Sequence, residues 1–197
     1  MKPILFNTEM VQAIMEGRKG VTRRLIKPQP VGKVHHMTGY KIDYYAEEKQ
    51  TPEGLFMPEM KLPYNPGDIL YVRETWAFDT GDPGDEIGTG CFVYRADGGE
   101  APNGKWRPSL HMPKEAARIF LRVKYCRPER LRDMVLGDVL LEGVTEGDSY
   151  KDTWNRWYNL WDSTIAPSDL PVYGWEANPW VWVIRFERCE KPQEVEK

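Results

Sequence analysis

The chain has 197 residues, a length that suits one domain with a sizeable buried core. Its 27 lysines and arginines stand against 30 aspartates and glutamates, a formal net charge of -3, which excludes an all-over basic nucleic-acid surface but leaves a local basic patch open. An aromatic content of 12% excludes disorder for most of the chain, and 16 prolines with 17 glycines indicate many turns and short elements, not a helical bundle.

A short strand is expected at Ile4–Phe6. A helix follows: Asn7 or Thr8 can cap its start, Met10, Val11, Ile14 and Met15 recur at helical spacing, and Gly17 closes it. Residues 18–27 then carry five positive charges and no acid, and Pro28 and Pro30 end the run. Residues 31–66 are polar, proline-spotted and weakly periodic, which predicts a long insertion (about 31–64) with one hairpin at Lys41–Ala46. After the Pro66-Gly67-Asp68 turn, one strand is expected with Leu70, Val72, Glu74, Trp76 and Phe78 on one face and Tyr71, Arg73 and Thr75 on the other. Asp79–Gly90 reads as a loop, Cys91–Ala96 as a strand, and Asp97-Gly98-Gly99 as a turn. Alternation predicts a further strand over Ile119–Tyr125, then a short helix Leu136–Glu142 capped by Gly143. A clearer helix is expected at about Asp152–Trp161, with Trp154, Trp157, Tyr158 and Trp161 along one stripe. Trp180–Phe186 is a strand rich in β-formers, and residues 191–197 are a polar tail. Strands spread through the chain with short helices between them predict an α+β fold, a small mixed barrel of five or six strands in one domain over residues 1–190.

Four segments carry groups capable of chemistry. In Gly17-Arg18-Lys19-x-x-Thr22-Arg23-Arg24 a helix ends and a basic strand begins. A lysine whose pKa is lowered by burial or by neighbouring cations can take the proton of a hydroxyl, and Arg18, Arg23 and Arg24 can supply those cations or hold a phosphate. The plain alternative is a solvated basic strand in which Thr22 is only a β-former. Glu74 sits on an expected apolar face, where a carboxylate must be paired, protonated or at the mouth of a cavity, and Arg73 points the other way. Glu142 ends a short helix, where its charge opposes the helix dipole and calls for a facing lysine or ligand, or simply for solvent. In Lys105–Pro113, the indole of Trp106, the guanidinium of Arg107, the hydroxyl of Ser109 and the imidazole of His111 suit stacking on and hydrogen bonding to a base or sugar-phosphate, unless Trp106 plugs the core.

Other signals are weaker. His35 and His36 are adjacent and diverge in a strand, so no metal site is expected, and there is no GxGxxG, P-loop, GxSxG or HExxH. The Trp154/Trp157/Trp161 stripe and the Trp180/Trp182 pair read as core. Three dispersed cysteines (Cys91, Cys126, Cys189) without a CxxC argue against a disulfide framework or a zinc ribbon and suit a reducing cytoplasm. No signal peptide is expected at the N-terminus, and no run of about 18 apolar residues predicts a membrane span.

The run Glu16-Gly17-Arg18-Lys19-x-x-Thr22-Arg23 after an N-terminal helix resembles the opening of ASCH domains, which have the PUA-like fold. Residues 66–76, Trp106–Pro113, Glu142-Gly143-Val144 and Asn178–Trp182 resemble the larger phage-associated members. The resemblance implies a PUA-like barrel with a cleft beside the N-terminal helix, and RNA or a modified nucleoside or nucleotide as the partner. One branch of the family removes the acetyl group of N4-acetylcytidine with a lysine base, a threonine nucleophile three residues on and a glutamate acid, without a cofactor. By that resemblance Lys19 and Thr22 match the first two, Glu142 matches the third with Glu74 as rival, and Arg73, Glu74, Trp76, Trp106, Arg107, Ser109 and His111 would line or orient the ligand. Gly20 departs from the β-branched or hydroxyl residue usual there, and the insertion could reshape the cleft. Other relatives suggest non-catalytic RNA binding, a phage accessory role or ribonuclease activity as alternatives, and a monomer is compatible with all of them.

Overall fold

A computed structural model describes residues 1–30, 34–38, 42–46, 49–51, 54–56, 59–80 and 90–193. In chain order its elements are β1 (Lys2–Leu5), α1 (Thr8–Met15), β2 (Val21–Leu25), β3 (Val34–Thr38), β4 (Ile42–Ala46), β5 (Lys49–Thr51), β6 (Gly54–Phe56), β7 (Glu59–Met60), β8 (Ile69–Arg73), β9 (Trp76–Asp79), β10 (Cys91–Tyr94), β11 (Phe120–Arg130), α2 (Leu136–Leu141), α3 (Tyr150–Ser163), α4 (Leu170–Tyr173) and β12 (Trp180–Cys189). The fold is mixed α+β. A five-stranded sheet runs β1-β8-β11-β12-β2, and β9 pairs with β10 in a second sheet of two strands. The β1–β8 pair is parallel and the other pairs of the large sheet are antiparallel.

Period-two alternation explains how both faces of the large sheet are covered. On β12, Trp182, Ile184 and Phe186 join Leu70 and Val72 of β8 and Leu121 and Val123 of β11 in one core, which Val11 and Ile14 of α1 close. The intervening Val181 and Val183 face the other way, onto Val139 of α2 and Trp157 and Trp161 of α3. At the other end of that second face, Tyr71 and Phe120 pack on Trp76, Met112, Ala116 and Ala117.

Several expected elements shift for identifiable reasons. The single strand expected over residues 70–78 is broken into β8 and β9. At the break the Phe6 amide binds Arg73 O, the Glu74 amide points at Met112 Sδ (3.1 Å), and Arg95 N binds Thr75 O, so the chain leaves the sheet for two residues. The Cys91–Ala96 strand ends at Tyr94 and passes into a 3-10 turn, Arg95–Asp97. Strand β11 runs on to Arg130, five residues past its expected end, through a register shift between Val123 and Tyr125 and through Pro128. Proline is tolerated because β8 pairs only with residues 120–122, leaving that part of β11 an edge. Helix α3 starts at Tyr150, where the Ser149 hydroxyl accepts from Asp152 N. Among its described residues the expected insertion holds five short strands, in sheets β3-β4-β7 and β5-β6. Its hairpin joins β3 to β4, so the Lys41–Ala46 expectation covers one arm, and Lys41 lies outside the described residues, as do 81–89 of the expected loop and 194–197 of the tail.

All three cysteines are free thiols, Cys91 exposed and Cys126 buried. Burial pushes the Cys126 thiol up to about 12. A thiol reagent at pH 8 is therefore expected to label Cys91 rapidly and Cys126 only after denaturation; mass-mapped labelling of Cys126 in the native protein would contradict its placement. No helix among the described residues is long and apolar enough to cross a membrane.

Candidate active site

Two helix ends build the site. At the start of α1 the Asn7 side chain accepts from Met10 N (2.9 Å), so of the two caps the sequence offers, Asn7 and Thr8, it is Asn7 that serves. At its other end Gly17, with φ of +77°, turns the chain so that Gly17 N bonds Ile14 O and Arg18 N bonds Ala13 O, the paired bonds of a Schellman motif. That turn delivers Lys19 to the C-terminus of α2, where Lys19 and Glu142 form an antiparallel bridge and Gly20 N bonds Leu141 O. Gly143, with φ of +89°, is required there twice over: a Cβ would also lie 2.8 Å from Ala13 Cβ and 3.0 Å from Lys19 Cβ.

The Lys19 amine donates to Glu142 O (2.6 Å) and to Glu142 Oε2 (2.8 Å), with both side chains almost fully buried. The unfavourable carboxylate at the end of α2 thus meets a lysine that also caps the helix carbonyl. Arg23, with a side chain wholly buried, donates to Glu142 Oε1 (3.2 Å) and Glu129 Oε1 (3.1 Å) and lies 3.4 Å from Asp138 Oδ2. Burial pulls the Lys19 amine below the ordinary lysine value; Glu142 pulls it back, while Arg24 and Arg23 push the same way as burial.

Lys19, Thr22, Arg23, Arg24 and Glu142 all line one cavity of about 270 Å³ beside β2, the end strand of the large sheet among the described residues. Phe6, Met10, Trp157 and Trp161 supply its apolar walls. The volume is close to the lower end of small-molecule sites, roughly 300–1,000 Å³. The Lys19 amine and the Arg24 guanidinium lie 5.6 and 5.2 Å from the Phe6 ring centroid. Among the described residues no hydrogen bond joins Lys19 to Thr22; the amine is engaged by Glu142 instead. The lining combines aromatic rings (Phe6, Trp157, Trp161) with ionic groups (Lys19, Arg23, Arg24, Glu142), suited to a flat ligand that stacks and also meets a hydroxyl, an amine and a carboxylate.

The remaining sequence candidates fall elsewhere. Arg18 is tied to Glu16 (2.6 Å) and Gly143 O (2.7 Å), bracing the two helix ends from outside the cavity wall. Glu74, 1% exposed, belongs to a different cluster: Arg118 grips it through Nε and Nη2 (both 3.0 Å), also binds Asp97 (2.7 Å), and stacks 3.9 Å from the Tyr94 centroid. The carboxylate beside Lys19 is Glu142, and the one beside Arg118 is Glu74. Arg73 donates to Leu110 O (3.2 Å), Trp76 is buried, and Arg107 bridges Trp76 through backbone bonds with its guanidinium 5.1 Å from the indole. None of Arg73, Trp76, Trp106, Arg107, Ser109 and His111 lines the Lys19 cavity; Trp106 and Ser109 are half-buried, and Arg107 and His111 are exposed. The loop that carries these groups packs on the far end of the sheet, against Tyr71 and Phe120.

Sequence reasoning missed Glu129, Asp138, Trp157 and Trp161 as parts of the site. Asp138 lies four residues before Glu142, hence on the same helical face, and that spacing was a usable signal. Glu129 was hidden because β11 was expected to stop at Tyr125. Trp157 and Trp161 are core residues, as their stripe indicates, and cavity wall as well. Among the described residues no group of three or more His, Cys, Asp or Glu is placed to hold a metal ion. No family model, curated protein or solved structure matches the chain.

Proposed function

We propose that the protein is an ASCH-type member of the PUA-like superfamily, its large sheet curling as an incomplete barrel, that acts on a modified nucleoside or RNA base by hydrolysing an exocyclic acyl-amide such as that of N4-acetylcytidine. The observation that carries this reading is the buried Lys19–Glu142 pair sharing one aromatic-walled cavity with Thr22. The free thiols suit a cytoplasmic setting.

The chemistry follows from one proton. Entry of a flat base displaces water, and desolvation favours passing a proton from Lys19 to Glu142, leaving a neutral amine and a protonated carboxyl. The Lys19 amine takes the Thr22 hydroxyl proton as Thr22 Oγ1 attacks the acyl carbonyl carbon. The C–N bond breaks, Glu142 gives its proton to the departing exocyclic nitrogen, and the acyl group is left as a threonine ester. Water, deprotonated by the Glu142 carboxylate, cleaves that ester to the free acid, and Thr22 recovers its proton from Lys19.

Thr22→Val preserves shape and removes the hydroxyl. It is expected to lower release of cytidine from N4-acetylcytidine by at least about 100-fold while the fold is unchanged. Retained turnover would remove Thr22 as nucleophile. The rate is expected to fall as pH rises through the lowered Lys19 value, below 10.5, because that titration removes the one proton the Lys19–Glu142 pair holds and leaves Glu142 with none to give the departing nitrogen. Stability runs the other way: between the lowered folded value and 10.5 the unfolded chain binds more protons, so the Lys19 contribution to stability rises with pH across that window and is lost as pH falls back through it.

A second reading, a binding module without turnover, draws on the absence of a Lys19–Thr22 hydrogen bond among the described residues. Tight binding of the nucleoside without release of cytidine would select it.

A further inference from the structure

Among the described residues the large sheet ends at β1 on one side and β2 on the other, and Arg24 reaches from one to the other, its Nη2 donating to Leu5 O. Along that seam lies a second cavity of about 460 Å³, between Ile4 and Leu5 of β1 and Leu25 of β2, with Tyr64 and Trp182 as aromatic walls. Leu5 and Arg24 line both cavities, so the two compartments meet at the Arg24 guanidinium.

Their charges differ. Lys19 and Arg23 of the inner compartment are already paired with carboxylates, and one of these, Glu142, lines the compartment, so a phosphate placed there would face that carboxylate. The seam is lined by Arg24 and Lys27 and, among the described residues, by no carboxylate. Arg24 spends its Nη2 on the Leu5 carbonyl and its face on Phe6, and the Lys27 amine lies 4.6 Å from the Tyr173 ring centroid. Among the described residues neither makes an ion pair, so both remain available to an anion.

We propose that the seam is a phosphate-ester subsite: the base enters the inner compartment, its sugar lies between Tyr64 and Trp182, and Arg24 and Lys27 take the adjoining phosphate oxygens. This rests on reading the inner compartment as a base pocket. It makes the ligand a nucleotide, with a neutral nucleoside as a truncated form of it.

The test measures binding of ribose 5-phosphate, N4-acetylcytidine and its 5′-monophosphate to Thr22→Val protein, which does not consume them, with and without Lys27→Gln. The monophosphate is expected to bind at least ten-fold more tightly than the nucleoside, the difference shrinking with salt and closing to two- or three-fold in Lys27→Gln. Nucleoside and monophosphate binding equally well would overturn the seam site and leave the base pocket standing. Ribose 5-phosphate binding as well as the monophosphate, with the nucleoside not binding, would overturn the base pocket and with it the joint placement. A dinucleotide carrying the phosphate as a diester separates the sources: retained affinity assigns the phosphate to a strand, lost affinity to a free mononucleotide, and both support the subsite.

Discussion

Glu142→Ala is expected to destabilise the protein by about 3–5 kcal/mol, the range for removing one partner of a buried ion pair. The Lys19 and Arg23 side chains are 2% and 0% exposed, and both lose their shared carboxylate while staying out of water. Arg23 keeps Glu129 and Asp138, but Lys19 loses its carboxylate partner along with a hydrogen bond. The double variant Lys19→Met/Glu142→Leu removes both charges of the pair and is expected to recover much of that loss, because an apolar pair of similar volume can replace a buried ion pair at little cost. Denaturant unfolding of the three proteins measures both. A loss below about 1 kcal/mol for Glu142→Ala would mean that water reaches the pair.

Glu74→Ala tests the other buried carboxylate and separates structure from chemistry. Its expected cost is about 3 kcal/mol, the low end of the same range, because Arg118 is 28% exposed and keeps Asp97. The two-pronged Arg118–Glu74 contact ties the break between β8 and β9 to the residue that leads into β11, and Asp97 adds the 3-10 turn after β10. At temperatures where the variant stays folded, its turnover of N4-acetylcytidine is expected to match that of the unaltered protein, since Glu74 lies outside the cavity. A 100-fold loss of turnover in folded Glu74→Ala would reassign the acid from Glu142 to Glu74.

Local signals in the sequence located most of the backbone. The cap at Asn7 (Thr8 being the other residue offered), the Gly17 and Gly143 turns and the β-formers of Trp180–Phe186 each act over a few residues, and each has its counterpart in the structure. Where local signals conflicted, boundaries moved. A bulge and Pro128 masked the length of β11, and the apolar alternation from Leu70 to Phe78 concealed a break that a distant arginine stabilises. The loop from Lys105 to Pro113 had the right chemical groups for a ligand, but its anchor, Met112, is buried against the opposite end of the sheet.

By itself, the sequence determined that an amine, a hydroxyl and two further cations follow a helix end within six residues, because spacing along a chain is a local property. Only the tertiary structure decided which carboxylate faces the amine, since Lys19 and Glu142 are 123 residues apart. The same holds for the indoles of α3 and for the meeting of β1 with β2 at Arg24. Hydrophobic periodicity reports that a face is buried and leaves open what it is buried against. That choice is made when strand register and helix packing bring distant segments within the few ångströms over which ion pairs and hydrogen bonds act.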